Sequence, residues 1–210
     1  MRRYAFEAVI VHMLWVAQPA FGWHSLAVNL NTRRDNVIFG SHWELWFGNR
    51  FFCERFLGVD VCFQPSSFSQ ANLDQFERLL QTIKCWVPAG SRVLEFYAGV
   101  GAIGLTLVEK AKSVRCCEIN PFGENSFKES LKNLPLGDVK KISWHAGASK
   151  KFSSWLQEAD VIIVDPPRKG LEVEFLESLL SYKGSANLIY MSCGWESFKR
   201  NAKDLSNAGW

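Results

Sequence analysis

The sequence predicts an open α/β domain with a doubly wound, mostly parallel sheet, preceded by a short β-rich segment. Three observations carry that expectation. From Asn72 onward, short apolar runs alternate with longer stretches of helical periodicity. The runs are apolar nearly throughout, the pattern of strands covered on both faces. A glycine-rich turn, Gly99-Val100-Gly101-Ala102-Ile103-Gly104, falls between the first of these strands and the helix after it. With 210 residues the chain is long enough for one well-buried domain.

The chain divides near Gln70, into a β-rich segment over 1–69 and an α/β domain over 70–210. In the first part Val37–Phe39, Trp43–Phe47 and Val59–Phe63 read as strands or hairpins, punctuated by Gly40, Gly48 and Gly58. Asn31 to Asn36 is polar and reads as a turn. In the second part Leu73, Phe76, Leu79, Leu80 and Ile83 recur at helical spacing behind Asn72, a fitting N-cap. Pro88-Ala89-Gly90 breaks that helix, and Arg92–Tyr97 follows as a buried strand. Gly101–Ala111 is the next helix and Val114–Ile119 the second strand. Asn120-Pro121 supplies an N-cap and a first-turn proline for a helix with Phe127, Leu131 and Leu134 on one face. Val139–Trp144 is the third strand, followed by a short helix around Phe152, Trp155 and Leu156. Val161–Asp165 is the fourth strand, Leu171–Leu180 a helix, Asn187–Ser192 the fifth strand, and Trp195–Asn207 the last helix.

A net charge of +3 permits a nucleic-acid partner without arguing for one. The basic pairs Arg33-Arg34, Lys140-Lys141 and Lys150-Lys151 read as solvated surface, whereas Arg168-Lys169 sits beside the expected crevice, where phosphate contact is plausible. The six cysteines show neither a C-x-x-C pair nor zinc-like spacing, so no metal site is expected. Five of them read as reduced, mostly buried thiols, with Cys116 and Cys117 pointing to opposite faces of their strand. That implies a reducing intracellular compartment, cytoplasm or an organelle such as a plastid. The apolar run over 5–17 mimics a secretory signal only loosely, since Glu7 and His12 interrupt it. No stretch is apolar enough for a membrane span, and no membrane partner is expected.

Three strand ends carry candidate chemistry, and ligands in open α/β sheets bind at such ends. Gly99, Gly101 and Gly104 match G-x-G-x-x-G, where glycine allows a sharp turn and close approach of a ligand. Glu118, at the next strand end, is placed to accept hydrogen bonds from ribose hydroxyls. The glycines alone fit a nicotinamide-dependent oxidoreductase as well as a methyltransferase. Asp165-Pro166-Pro167-Arg168-Lys169-Gly170 is sharper: the prolines lock a post-strand loop that aims a carboxylate into the crevice. Cys193 follows the fifth strand and precedes a helix, whose N-terminus favours a thiolate, the nucleophilic form. Gln70 precedes the first helix of the α/β domain. Its amide suits either a helix cap or a base or cofactor edge, and Phe68 beside it suits ring stacking.

Taken together, these residues resemble the uracil-C5 RNA methyltransferases, which make 5-methyluridine in tRNA and ribosomal RNA. The resemblance covers about residues 24–210. It rests on Ser67-Phe68-Ser69-Gln70-Ala71-Asn72, Glu95-Phe96-Tyr97-Ala98-Gly99-Val100-Gly101, Cys117-Glu118-Ile119-Asn120, Asp165-Pro166-Pro167-Arg168-Lys169-Gly170 and Tyr190-Met191-Ser192-Cys193. The wording of Tyr190 to Lys199 is nearest to plant-type members. The resemblance implies a Rossmann-like fold that binds S-adenosylmethionine through Gln70, Tyr97, Glu118 and Asp165. It makes Cys193 the nucleophile that adds to C6 of a uridine in RNA. Departures are present too. Ala102 stands where the family often has Asn, and Gly147-Ala148 where it has a polar residue. The family's general base, a Glu beyond the helix after Cys193, has no counterpart before Trp210. The expectation is therefore a catalytic-domain fragment or shortened product. The alternative is a degenerate cofactor- or RNA-binding module.

Overall fold

The computed structural model describes Gly22, residues 24–31, Gly40 and residues 42–210. The apolar run over 5–17, the expected strand Val37–Phe39, the pair Arg33-Arg34 and the turn beyond Asn31 lie outside the described residues. What is described falls into two compact units. One holds the described residues up to Phe52 together with 64–66; the other holds Cys53–Phe63 and Ser67–Trp210.

In the first unit, β1 (Ser25–Leu30) pairs antiparallel with β2 (His42–Gly48), with an irregularity between Leu26 and Ala27. The Asn29 side chain ties the ends of the ladder, accepting from the Gly40 N–H at 2.7 Å and donating to the Gly40 carbonyl at 3.0 Å.

From Cys53 on, the hairpin of β3 (Phe52–Phe56) and β4 (Val59–Phe63) belongs to the second unit. Its two turn residues, Leu57 and Gly58, both have positive φ (49° and 86°), as a two-residue hairpin turn requires. Cys53 and Cys62 are equidistant from that turn, and their sulfurs form a disulfide across a Cα–Cα separation of 4.0 Å. Directly opposed residues of a non-hydrogen-bonded pair approach that closely. The Cys62 N–H accordingly points away from β3, to the Ser130 hydroxyl at 2.8 Å. The expectation of five reduced, mostly buried thiols is thus corrected. Cys53 and Cys62 are joined, Cys85 is exposed, and only Cys116 and Cys117 are free and buried. The cysteines therefore do not mark a reducing compartment.

Five parallel strands make the main sheet: β5 (Arg92–Phe96), β6 (Ser113–Glu118), β7 (Ile142–Ala146), β8 (Val161–Val164) and β9 (Asn187–Tyr190). Their order is β7-β6-β5-β8-β9, so the winding reverses between β5 and β8. The helices are α1 (Leu73–Trp86), α2 (Ala102–Leu107), α3 (Gly123–Leu131), the short α4 (Leu136–Val139), a 3-10 helix (Ser149–Glu158), α5 (Val173–Leu180) and α6 (Trp195–Asn207). On one face of the sheet Leu94, Phe96, Cys117, Ile162 and Val164 pack against Phe152, Phe175, Leu179 and Leu205. On the other, α2 lies so close that a Cβ on Gly104 would meet the Cys116 sulfur at 2.7 Å and Val114 at 2.9 Å. Cys116 and Cys117 thus face opposite ways. Burial pushes both thiols up, Cys117 to about 12, which leaves them as packing groups. The expected doubly wound α/β fold is the one observed.

Several element boundaries moved: α2 ends at Leu107 rather than Ala111, α5 starts at Val173 rather than Leu171, and β9 ends at Tyr190 rather than Ser192. Val139 ends α4 instead of opening a strand, because Pro135 starts a helical turn that receives the Val139 N–H at 3.1 Å. Asn120 does accept from the Phe122 N–H at 3.1 Å, yet it caps only a turn, and α3 starts at Gly123. Asn72 behaves as expected, capping α1 through the Gln75 N–H at 3.0 Å.

Candidate active site

The reversal of winding sets the carboxyl ends of β5 and β8 side by side. Phe96 is paired with Val164, so Tyr97 and Asp165 leave the sheet together, and the Asp165 N–H still reaches the Phe96 carbonyl at 3.4 Å. Such a point of reversal is where an open α/β sheet offers a crevice. A cleft of about 640 Å³ lies there, lined by Gln70, Tyr97, Gly99, Glu118, Asp165 and Cys193 among others. Its size suits a small-molecule site.

The glycine loop holds its shape for stated reasons. Gly99 has a φ of +56° and nothing within 4 Å of where its Cβ would be, so it needs glycine for backbone conformation and leaves the cleft wall open. Gly101 has a φ of +79°, and a Cβ there would strike the Phe127 ring at 2.8 Å. It caps α2 and does not line the cleft. Gly101 therefore shapes the loop, while Gly99 faces the ligand space.

Glu118 ends β6 and uses both carboxylate oxygens on backbone. Oε2 accepts from the Gly99 N–H at 2.9 Å and Oε1 from the Asn120 N–H at 2.8 Å. A carboxylate keeps further lone pairs for a ligand after two such bonds. Trp144, in the middle of β7, donates its indole N–H to the Gly99 carbonyl at 3.1 Å. The glycine loop is thus held from two neighbouring strands.

Tyr97 is a non-glycine residue with a φ of +61°, a conformation that costs about 1–3 kcal/mol and persists only where the surroundings hold it. Its hydroxyl donates to Glu172 Oε2 at 3.0 Å and accepts from the Glu172 N–H at 3.4 Å. Burial pushes the phenol well above its usual range, so it stays a donor. Glu172 also lines the cleft, a residue that sequence reasoning missed. The only signal was an acid two residues after the proline-locked loop.

Burial also raises the Asp165 carboxyl, to about 6. Behind it, Glu95 is 1% exposed and accepts from the Gly104 N–H at 2.8 Å and the Cys116 thiol at 3.2 Å. Desolvation lifts Glu95 from 4.5 to about 7, against those two bonds. The folded chain therefore holds a proton that the unfolded chain releases first. Stability should fall as pH rises from about 4.5 to about 7, with a slope of up to ~1.4 kcal/mol per pH unit from this group. Asp165 adds in the same sense below about 6. Denaturant unfolding across that range is expected to show the decline, and Glu95→Gln to flatten its upper part. An unchanged slope in Glu95→Gln would remove Glu95 as its source.

Cys193 lies three residues beyond β9, whose end is fixed to β8 by the Met191 N–H on the Val164 carbonyl at 2.8 Å. It is exposed, lines the cleft and stands two residues before α6. The Arg168 carbonyl, at the far end of the Asp-Pro-Pro loop, accepts from the Ser197 hydroxyl at 2.7 Å, which clasps that loop to the first turn of α6. A thiol, the carboxylates of Glu118 and Asp165 and the glycine loop thus share one cavity. Among the described residues no group of His, Cys, Asp or Glu is arranged to hold a metal ion, and no helix is long and apolar enough to cross a membrane.

A doubly wound sheet with a cleft at the reversal of its winding is also the fold of solved methyltransferases, the class of α/β proteins to which this chain's relatives point. Residues 58–180 match the family described as Methyltransferase small domain, and the chain belongs to that family. It is 45% identical over 188 residues to an uncharacterized RNA methyltransferase of Protochlamydia amoebophila, covering 90% of this chain and 49% of that protein. It is 30% identical over 192 residues to one of Enterococcus faecalis, covering 89% and 41%. The solved structure of a Pyrococcus abyssi tRNA (uracil-54, C5)-methyltransferase in complex with S-adenosyl-L-homocysteine superimposes with a TM-score of 0.73 at 26% identity, covering 90% of this chain and 46% of that one. The chain spans about half the length of the relatives it matches. The family match sets aside the nicotinamide reading of the glycines, and these bacterial relatives lend the plant-type resemblance no support.

Proposed function

We propose that the chain is the catalytic part of an S-adenosylmethionine-dependent methyltransferase that modifies C5 of uridine in RNA, tRNA or ribosomal RNA, through a covalent bond from Cys193 to C6. The observation that carries this reading is the opening of Cys193 into the cleft that Gly99, Glu118 and Asp165 also line. The cleft fits the cofactor: an unobstructed wall at Gly99, a strand-end carboxylate at Glu118, and Ile119, 61% exposed, as an apolar surface for a purine. When bound, S-adenosylmethionine supplies an electrophilic methyl group on a sulfonium.

The residues of the chain divide the remaining work. Gln70, Tyr97, Glu118 and Asp165 hold and orient the cofactor. C5 of uracil is too weak a nucleophile to take the methyl directly, so the Cys193 thiolate adds to C6 and drives electron density to C5. After methyl transfer a base removes the C5 proton, and the electrons of the C5–H bond expel the thiolate. Glu196 is ion-paired with Lys199 at 2.9 Å on the exposed side of α6 and is not assigned as that base. The target uridine has to leave its stack to reach the cleft.

The test is to incubate the protein with labelled cofactor and uridine-containing RNA, digest to nucleosides, and identify the labelled product. 5-Methyluridine is the expected product. Label on another atom contradicts the C5 reading, and cofactor binding without transfer favours a degenerate binding module.

A further inference from the structure

We propose that the exposed face of α6, headed by Trp195, is a docking surface for single-stranded RNA, and that Trp195 stacks on a base flanking the target uridine. The proposal deepens the reading above and rests on it for the identity of the target nucleotide. Trp195 is the first residue of α6, two positions past Cys193, and is 67% exposed. An indole left that open forgoes the burial that a large aromatic ring normally gains. Its packing partners leave the ring uncovered: Phe198 is 5.9 Å away between centroids and Lys199 Nζ is 5.7 Å from the ring centre.

Charge around the ring points to a polyanion. Lys199 and Lys203 follow Trp195 at helical spacing of four, so the three share one ridge, with Arg200 beside it; all are exposed. Arg168 and Lys169 are exposed at the cleft rim, and the Ser197 hydroxyl on the Arg168 carbonyl holds that loop against the first turn of α6. Gly194 is required for the same contact, since a Cβ there would lie 2.4 Å from the Arg168 carbonyl oxygen. The exposed acids on this face, Glu196 and Asp204, leave the cations in excess. An aromatic platform flanked by cations, next to the nucleophile, is what unpaired nucleotides require: bases stack and phosphates pair. Trp195 does not line the cleft, so its role is separable from cofactor binding.

The experiment measures binding of a fluorescent single-stranded uridine-containing RNA to the full chain, wild type and variants, alongside affinity for S-adenosylhomocysteine. Trp195→Ala is expected to weaken RNA binding by about 5- to 150-fold, the loss of one stacked base, with Trp195→Phe retaining most of it. Affinity for S-adenosylhomocysteine should be unchanged in both. An RNA abasic at the position next to the uridine, on the side where the base stacks, should bind wild type and Trp195→Ala equally. Lys203→Gln, which leaves the ring in place, should lower the slope of log K against log salt by about 0.7. Equal RNA affinity of wild type and Trp195→Ala, or an unchanged loss with both flanking positions abasic, overturns the proposal. So does a wild-type chain that binds no RNA. Trp195-dependent RNA binding without 5-methyluridine formation defeats the proposed reaction and leaves the surface standing. Formation of 5-methyluridine insensitive to Trp195 does the reverse.

Discussion

Cys193→Ser is expected to lower methyl transfer to RNA by at least ~10³-fold while leaving S-adenosylhomocysteine affinity within a factor of about two. The two halves of that result come from separate parts of the site. The sulfur is needed because C5 gains nucleophilicity only after C6 has been attacked, and a serine hydroxyl, far less ionised at neutral pH, does not replace it. The cofactor side of the cleft is built from β5, β6 and β8, whose backbone and carboxylate contacts do not involve residue 193. Transfer assays paired with calorimetry read both. A parallel loss of cofactor affinity would mean that Cys193 shapes the cleft instead of acting on the substrate.

Glu118→Ala should act on the other half. It removes the acceptor for the Gly99 and Asn120 N–H groups at once, and with them the restraint on the glycine loop. Charge-assisted bonds of this kind place the cost at about 2–4 kcal/mol, a ~30- to 1,000-fold weaker affinity for S-adenosylhomocysteine. Glu118→Gln keeps one acceptor oxygen and should fall between. Titration of the three proteins checks the ranking, and equal affinity in all of them would remove Glu118 from the binding account.

The features that were legible in the sequence share a physical cause. Strand β8 announces itself most clearly, because a strand covered on both faces is apolar at nearly every position, as in Val161-Ile162-Ile163-Val164, all buried. Strand β7 carries Ser143 and His145 and is less clearly marked, and its expected start at Val139 falls in α4. The site is legible to the same extent, because Gly99, Glu118, Asp165 and Cys193 each stand at the carboxyl end of a strand or within three residues of it, and the parallel sheet sends all those ends one way. What the sequence hides depends on contacts between distant elements. The Cys53–Cys62 disulfide follows from hairpin register, which the positive φ of Leu57 and Gly58 sets; cysteine spacing alone does not reveal it. Glu172 reaches Tyr97 from 75 residues away, and Trp144 reaches Gly99 from 45. No local periodicity encodes either bond. Gly101 fits the glycine motif yet serves packing against Phe127, so motif membership and ligand contact are separate properties.

The most direct measurement is the intact mass of the protein after incubation with S-adenosylmethionine and an RNA whose target uridine carries fluorine at C5, a position from which no base can then take a proton. The covalent account requires a stable protein–RNA species carrying one added methyl group, with the link mapped to Cys193 and lost in Cys193→Ser. Methylation of ordinary RNA by Cys193→Ser at the wild-type rate, with no linked species from either protein, would contradict it.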